Sequence, residues 1–354
     1  MLTTALRKSN ATYHSDIVSV YSNDKNSSAI RTNTTHTTST DFTKPLIQSP
    51  LNYTGSKFKL LPQILPLFPK DISVMVDLFC GGASVGVNVR TTNATRIILN
   101  DKQSELMQIL GLFQRESAES LLEQIFNIIA DFGLSDSEKF GYSFYKCDSA
   151  KGLSSYNKAG FARLKNAYNA DKNAKGTNND LQALKLFVLI IYAFNNQIRF
   201  NAKGDFNLPC GKRDFNAKMK AKLKGFINAM QSKNIALSSK DFRAFDTSIL
   251  DTQSLVYIDP PYLLANAGYN ENGAWSENDE KDLLEFIKML DSKGLKFALS
   301  NVLFHKGKEH IMLKNWLKNN PKFKAHFLDF SYKNCNYQTK REQSSEVLVV
   351  NYEV

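Results

Sequence analysis

Short apolar runs recur along the chain, and polar or small residues follow each of them. Residues 73–79, 96–99 and 255–258 are rich in β-branched and aromatic side chains, which is typical of strands buried in a parallel sheet. Helices are predicted from Gln103 to Phe113, over the apolar stretch 184–194, and from a capping box at Ser276 to Ser292. A strand at 296–299 and a closing strand at 346–352 complete the pattern. Alternating strands and helices predict an α/β fold.

The run at 255–258 ends in four residues that together suit a particular chemistry: Asp259, Pro260, Pro261 and Tyr262. Asp259 lies at the carboxyl end of a strand, where open α/β sheets bind ligands. The prolines stiffen the turn and remove backbone donors. A carboxylate and the Pro260 carbonyl can accept both N–H groups of an exocyclic amine, while Tyr262 stacks on the ring that carries it. The motif alone fits equally well a proline turn with Tyr262 packed in the core.

The run at 73–79 leads into a small-residue turn that contains Gly81 and Gly82. Glycines let the backbone approach a bound nucleoside or amino acid closely. The next strand ends near Asp101, where an acid commonly holds a ribose diol. Asp101 also suits the N-cap of the helix that follows, and it can do both jobs.

These residues resemble the Dam-like adenine-specific (N6) DNA methyltransferases of the D12 class, over about residues 49–352. The resemblance implies a Rossmann-like methyltransferase sheet that binds S-adenosylmethionine, and methyl transfer to a flipped adenine without a metal. It assigns Asp259, Pro260, Pro261 and Tyr262 to catalysis. It assigns Lys57 to the methionine end of the cofactor, Asp101 to the ribose and Asp241 with Phe242 to the adenine. The complete implied cofactor set is Tyr53, Lys57, Asp77, Phe79, Gly81, Gly82, Asp101, Asp241, Phe242 and Asp259.

A block at 199–211 resembles the segment next to the DNA-reading region of the same family. The expected DNA contacts are Arg199, Asn201, Lys203 and Asn207 within this block, and Lys212 and Arg213 just after it. The net charge of the chain is +11, and residues 139–226 contain 17 Lys and Arg against 5 Asp. A basic segment beside a nearly neutral remainder favours a polyanionic partner. A solvated lysine-rich surface is the alternative.

The predicted layout is a catalytic domain interrupted by an insert. A low-complexity tail covers residues 1–46, the two catalytic parts cover 47–115 and 233–354, and a mostly helical DNA-recognition domain covers 116–232. Aromatic residues lie among the lysines of the insert, where stacking on nucleic acid and packing in a small core are both open.

One departure from the family pattern points to another chemistry. Phe79 is followed by Cys80, Gly81, Gly82 and Ala83 instead of Phe-x-Gly-x-Gly. That string is closer to the turn of cytosine-C5 methyltransferases, which need a cysteine nucleophile. Cys210 is the candidate, but its neighbours belong to the adenine-type block. The four cysteines are dispersed, which predicts neither zinc nor disulfides and favours a reducing compartment.

The expected partners are double-stranded DNA and a cognate restriction endonuclease acting on the same site. We expect no membrane association, a monomer or weak dimer, and a cytoplasmic, nucleoid-associated location. An RNA N6-adenine or cytosine N4 methyltransferase shares the chemistry, although Ser commonly replaces Asp259 in the N4 group. A non-catalytic DNA-binding protein is the alternative from a different class.

Overall fold

The computed structural model describes residues 45–92, 94–171, 178–265, 275–329 and 344–354. Most of the predicted tail and Cys335 lie outside these residues. The strands are β1 Val74–Asp77, β2 Arg96–Asn100, β3 Ile235–Ser238, β4 Leu255–Ile258, β5 Lys296–His305, β6 Lys308–Glu309, β7 Lys324–Leu328 and β8 Ser344–Val350. The helices are α1 Leu61–Ile64, α2 Ser84–Asn88, α3 Ser104–Arg115, α4 Ala118–Asp131, α5 Ser137–Phe144, α6 Ser154–Asp171, α7 Asn179–Tyr192, α8 Ala217–Gln231, α9 Glu277–Ser292 and α10 Ile311–Asn319. Short 3-10 turns lie at Lys57–Lys59, Leu65–Leu67, Phe194–Asn196, Phe242–Ala244, Thr247–Ile249 and Leu263–Ala265.

The strands form a mostly parallel sheet in the order β3-β2-β1-β4-β5-β8-β7, and β6 pairs with the end of β5. Strands β1 to β5 are parallel to their neighbours in that series, whereas β8 is antiparallel to both β5 and β7. The strand order reverses between β1 and β4, which makes their carboxyl ends the switch point where such sheets bind ligands. The predicted Rossmann-like α/β sheet is confirmed.

Apolar side chains fill both faces of the sheet, which explains why its central strands read as continuous apolar runs. In β1, Met75 joins the core on one face and Val76 joins the core on the other. The first core also contains residues of α3 and of the helices α4, α6, α7 and α8. The second lies under α9 and α10. The insert therefore shares a continuous apolar core with the sheet, and its division from the catalytic part stays a prediction.

Several predicted elements shift at their ends. The capping box of Ser276 and Asp279 is confirmed at the start of α9. The strand predicted at 296–299 continues to His305, because its far part pairs with β6 and β8. The apolar stretch that begins at Leu184 is a core helix, but that helix stops at Tyr192 and leaves Phe194 half exposed. Among the helices of the described ranges, none has the length and apolar character needed to cross a membrane.

Candidate active site

The turn after β1 is built from unusual backbone conformations and two buried carboxylates. Gly81 has φ +48° and Ala83, where the family pattern has glycine, has φ +57°. The Gly81 N–H donates to Asp101 Oδ2 at 3.0 Å. The Gly86 N–H, in the first turns of α2, donates to Asp77 Oδ2 at 2.9 Å. The two acids therefore hold the turn from the ends of neighbouring strands.

Asp101 does not cap the following helix directly, because Gln103 occupies the N-cap position. Its Oδ1 accepts the Gln103 N–H at 3.0 Å, so the carboxylate supports both the helix entry and the glycine turn. Beside it, the buried Asn100 side chain donates to the carbonyls of Leu78 and Lys240. Asn100 thereby connects the turn after β1 with the loop that carries Asp241.

The loop after β3 places an aromatic side chain next to the glycine turn. Phe242 is buried, and its ring lies 5.6 Å from the ring of Phe79. Asp241 accepts the Arg243 N–H at 3.0 Å and also forms an ion pair with the Arg243 guanidinium. The structure thus brings Phe79, Asp241 and Phe242 to the same edge of the sheet as Asp101.

The carboxyl end of β4 carries the second half of the site. Asp259 lies directly beyond β4, and β4 pairs with β1 so that Tyr257 is opposite Asp77. Lys57 is buried, and its Nζ lies 3.0 Å from Asp259 Oδ1 and 4.7 Å from the centroid of the Tyr262 ring. The Tyr262 hydroxyl lies 3.4 Å from Ser300 Oγ on β5. Asp259 and the glycine turn are therefore adjacent.

Lys57 has a different contact from the one that the resemblance implies. It pairs with Asp259 and donates to the Gly55 carbonyl at 3.0 Å, while a contact with the methionine end of a cofactor stays a prediction. Tyr53, from the same segment, packs its ring against the bare backbone of Gly81. At Gly82 the space for a side chain is also narrow, since Leu51 and Ser49 lie close.

Burial dominates the electrostatics of the site. It raises the pKa of Asp77 to about 7, although the Gly86 N–H opposes this, and the charges of Asp259 and Asp101 raise it further. Burial also raises the pKa of Asp101 and of Asp259. At Asp259 the ammonium of Lys57 works against that rise. Three carboxylates converge with one ammonium, so the site favours a cationic ligand.

The predicted DNA-contact residues lie in and beside a tight hairpin. Phe200 and Phe206 pair as an antiparallel bridge and are buried at its base. Across the hairpin, Arg199 Nε donates to Asn207 Oδ1 at 2.7 Å. The Asn201 side chain organises the tip by accepting the N–H groups of Lys203 and Asp205. Lys212 and Arg213, just after the hairpin, are exposed.

The 3-10 turn at Phe194–Asn196, just before the hairpin, is joined to the segment that carries Lys57. Asn52 Nδ2 donates to the Asn195 carbonyl at 2.7 Å, and Asn195 itself has φ +56°.

The aromatic residues of the insert divide between its core and its surface. Phe161 and Tyr168 are buried, whereas Tyr156 is 42% exposed and Phe144 is 63% exposed.

A family model for the D12 class N6 adenine-specific DNA methyltransferase matches residues 53–340. The chain belongs to this family. It is 39% identical over 316 residues to the type II methyltransferase M.FokI of Planomicrobium okeanokoites, covering 88% of this chain and 44% of that protein. It is 36% identical over 317 residues to the modification methylase StsI of Streptococcus sanguinis, again over 88% of this chain and 44% of the relative. The chain thus spans less than half the length of these two relatives.

A shorter relative is covered over most of its length. The chain is 24% identical over 258 residues to the DNA adenine methylase of Haemophilus influenzae, which covers 71% of this chain and 78% of that protein. The methyl donor of this family is S-adenosylmethionine, because D12 class methyltransferases depend on it.

The residues of the site fit this cofactor, which carries a sulfonium and an ammonium group. The carboxylates of Asp77 and Asp101, at the ends of neighbouring strands beside the glycine turn, offer negative charge to these cationic groups. The buried Tyr257 hydroxyl has no hydrogen-bond partner among the residues described, as a group awaiting a ligand would. Asp77, Asp101, Asp241 and Phe242 are the residues that would hold the cofactor.

The thiol chemistry required for cytosine-C5 transfer is not supported at Cys210. A cysteine nucleophile needs a lowered pKa. Burial instead raises the pKa of Cys210 to about 11. Its backbone pairs with Ala193 in an antiparallel bridge, so the residue has a structural position just beyond the hairpin.

Tyr257 and Trp275 lie in the site but are not among the residues predicted for it. Tyr257 lies two residues before Asp259, and the alternation of side chains along a strand places both on one side. That signal was available in the sequence. Trp275 packs its ring 5.8 Å from Phe79 and 5.9 Å from Phe242, a contact between distant segments that no local pattern announces.

We predict that Gly81→Ala lowers the affinity for S-adenosylmethionine by at least about tenfold, because the added Cβ must displace the Tyr53 ring or the turn from the geometry that binds the cofactor, at a cost on the order of 1 kcal/mol or more. The new Cβ would lie 2.7 Å from Tyr53 Cδ1 at φ +48°. Equilibrium dialysis with labelled cofactor measures the affinity. Gly225→Ala is the control, since its Cβ meets nothing within 4 Å. Equal affinity for the Gly81 variant and the control would show that the turn does not bind the cofactor.

Proposed function

We propose that this chain is a site-specific DNA methyltransferase that transfers a methyl group from S-adenosylmethionine to N6 of an adenine flipped out of duplex DNA. The observation that carries the proposal is the adjacency of Asp259 and the glycine turn on paired strands at the switch point of the sheet. The Asp259 carboxylate suits an exocyclic amine, and the glycine turn suits the cofactor. Family membership supports the same assignment.

The chain's own residues overcome the poor nucleophilicity of the amine. Its lone pair is delocalised into the purine ring, so orientation supplies much of the catalysis. In our proposal the Asp259 carboxylate and the Pro260 carbonyl accept the two N–H groups, and Tyr262 stacks on the base. Pro261 keeps the turn rigid. When bound, S-adenosylmethionine supplies a methyl group already activated on a sulfonium sulfur.

The proton released from the nitrogen passes to Asp259 in this scheme. As the new N–C bond forms and the C–S bond breaks, one N–H proton must leave. Burial raises the pKa of Asp259 above that of an ordinary carboxyl, which makes it the better proton acceptor. Lys57 occupies the same carboxylate through Oδ1. We propose that Lys57 keeps Asp259 ionised until the amine arrives.

The hairpin at 199–207 and the exposed Lys212 and Arg213 form the proposed DNA contact. Phosphate contacts supply affinity, and extrusion of the base costs a few kcal/mol that pocket contacts offset. We further propose a cognate restriction endonuclease as a functional partner, action as a monomer or weak dimer, and a location with the chromosomal DNA that is its substrate. M.FokI and StsI, as type II and modification enzymes by name, support the endonuclease partner.

Sequencing of modified bases in DNA from a host that expresses the chain tests the proposed function. We expect N6-methyladenine at one short recognition sequence, absent from the same host with an Asp259→Asn variant. Parallel transfer assays with duplex DNA and duplex RNA separate the two nucleic acids. Methylated cytosine, or labelling of RNA but not DNA, would contradict the proposal.

We predict that replacing Lys212 and Arg213 by glutamine weakens binding to duplex DNA and flattens its salt dependence. If each residue neutralises one phosphate, the slope of log K against log salt falls by about 2. Fluorescence anisotropy measures the DNA affinity from about 50 to about 200 mM salt, a range over which phosphate contacts change the affinity strongly. The control is Lys70→Gln with Arg96→Gln, since both are exposed and lie near the amino ends of β1 and β2. Equal slopes in the two double variants would exclude phosphate contacts at Lys212 and Arg213.

A further inference from the structure

A buried carboxylate on α9 gathers three N–H donors from three other parts of the fold. Glu280 is completely buried. Its Oε2 accepts the Trp275 indole N–H at 2.6 Å. Its Oε1 lies 3.1 Å from His310 Nε2 and 3.3 Å from Asn301 Nδ2. A buried carboxylate with this many contacts either stabilises the fold or orients one of its partner side chains.

The hydrogen bonds define the protonation of the histidine. His310 Nδ1 accepts the Leu313 N–H at 3.1 Å at the start of α10, so this nitrogen carries no proton. The ring proton is then on Nε2, where it donates to Glu280. His310 is therefore neutral, and Glu280 is an acceptor of three neutral N–H groups.

Trp275 is the member of this network that reaches the cofactor side. Its ring completes an aromatic cluster with Phe79 and Phe242, the two rings at the ends of β1 and β3. Indole can turn within such a cluster unless its N–H is fixed. The single bond to Glu280 fixes it, and the other two donors hold Glu280 in turn.

A second connection ties the same loop to α9. Arg243 forms ion pairs with Asp279 and Asp282, both at 2.7 Å, and its guanidinium lies 4.4 Å from the centroid of the Phe242 ring. The first turns of α9 thus brace Phe242 through Arg243 and orient Trp275 through Glu280. Phe242 follows Asp241, which we assign to the adenine of the cofactor, and Trp275 packs its ring 5.9 Å from that of Phe242.

We propose that Glu280 is a positioning residue that holds Trp275 as a wall of the site for the cofactor's adenine ring. The inference rests on the proposed function, specifically on adenine binding near Asp241 and Phe242. An aromatic wall with a fixed edge offers a planar base a stacking surface of defined orientation. Asn301 extends the network to β5, next to Ser300, which contacts Tyr262 of the target-base site.

The chain contains two tryptophans, which makes the proposal directly measurable. In a Trp316→Phe background the fluorescence comes from Trp275 alone. We expect Glu280→Gln to weaken S-adenosylmethionine binding about tenfold, because the amide cannot accept all three N–H groups and leaves one unpaired. The KM for DNA should stay unchanged, and acrylamide should quench Trp275 more strongly. The control is Glu285→Gln, an exposed residue of the same helix that pairs with Lys288.

A second variant covers the case in which Glu280→Gln does not fold. Trp275→Phe keeps an aromatic ring but removes the indole donor, and equilibrium dialysis measures its cofactor affinity without fluorescence. A similar loss of affinity is expected. If the folded variants bind the cofactor like the control and only their melting temperature falls, the network is structural and the proposal is overturned.

Phe242→Ala separates this failure from failure of the proposed function. If Phe242→Ala weakens cofactor binding while Glu280→Gln and Trp275→Phe do not, the cofactor site stands and only the role of Glu280 is refuted. If the Phe242 variant also binds normally, the adenine site lies elsewhere, and the assigned cofactor site is wrong together with this inference.

Discussion

Replacing Asp259 by asparagine should lower the single-turnover rate of methyl transfer by about a thousandfold or more, as expected when a buried charge that stabilises the transition state is lost. The amide has nearly the same shape but no negative charge, and it is a much weaker proton acceptor. Asp259 lies at the end of β4 beside Lys57 and Tyr262 rather than in the aromatic cluster of Phe79 and Phe242. Cofactor affinity should therefore fall by less than about fivefold, which corresponds to less than 1 kcal/mol.

Rapid-quench transfer of labelled methyl to duplex DNA measures the rate, and equilibrium dialysis measures the affinity. Asp131→Asn, an exposed carboxyl at the end of α4, is the control. Wild-type turnover in the Asp259 variant would remove the residue from the chemistry.

The Asp259 variant also leaves the buried Lys57 without its partner, a change that typically costs about 3–5 kcal/mol. Its stability must therefore be measured together with its rate. The double variant Lys57→Met with Asp259→Asn removes both members of the pair and should recover most of the lost stability. If it is as unstable as the single variant, the ion pair at 3.0 Å does not explain the loss.

Replacing Asp77 by asparagine should stabilise the cofactor-free protein at pH 8 while weakening cofactor binding. The pKa of Asp77 is about 7 in the folded chain, because of burial, against an ordinary value of 3.8. Between these values the folded state holds the proton more tightly than the unfolded state. The contribution of Asp77 to the free energy of unfolding is therefore fully present below about pH 4 and is lost as the pH rises through 7.

At pH 8 the wild type buries a charged carboxylate, and the asparagine variant does not. We expect a gain of about 4 kcal/mol in the free energy of unfolding at pH 8, and almost none near pH 4. The amide oxygen still accepts the Gly86 N–H that Asp77 accepts at 2.9 Å. Loss of the negative charge should weaken binding of the cationic cofactor by about a hundredfold, or roughly 3 kcal/mol.

Urea unfolding at the two pH values, without cofactor, measures the first effect. Asp71→Asn, an exposed residue just before β1, is the control. A stability difference that is the same at both pH values would contradict a raised pKa at Asp77.

The sequence predicts the parts of the site that local pattern and topology determine. Asp77, Asp101 and Asp259 each end a buried strand, and parallel strands bring their carboxyl ends to one edge. Their convergence followed once the strands were recognised. The capping box at Ser276 is local in the same way, and the helix begins where the pattern places it.

The sequence does not predict contacts between distant segments. The ion pair of Lys57 with Asp259 depends on how the 3-10 turn at Lys57–Lys59 packs against the end of β4. The bond from Trp275 to Glu280 matters because His310 and Asn301 close around the same carboxylate. The division of the insert from the catalytic part stays a prediction, because the difference in charge reports the surface of the insert, whereas its apolar residues share the core of the sheet.

The identity of the methylated nucleoside shows whether Asp259 and its neighbours act on an adenine amine. Duplex DNA labelled with tritiated methyl from S-adenosylmethionine by the wild-type chain can be digested to nucleosides and separated by chromatography. We expect the label to elute with N6-methyl-2′-deoxyadenosine, and the Asp259→Asn variant to yield almost none. Label in N4- or C5-methylcytosine would contradict the assignment of Asp259, Pro260 and Tyr262 to an adenine amine.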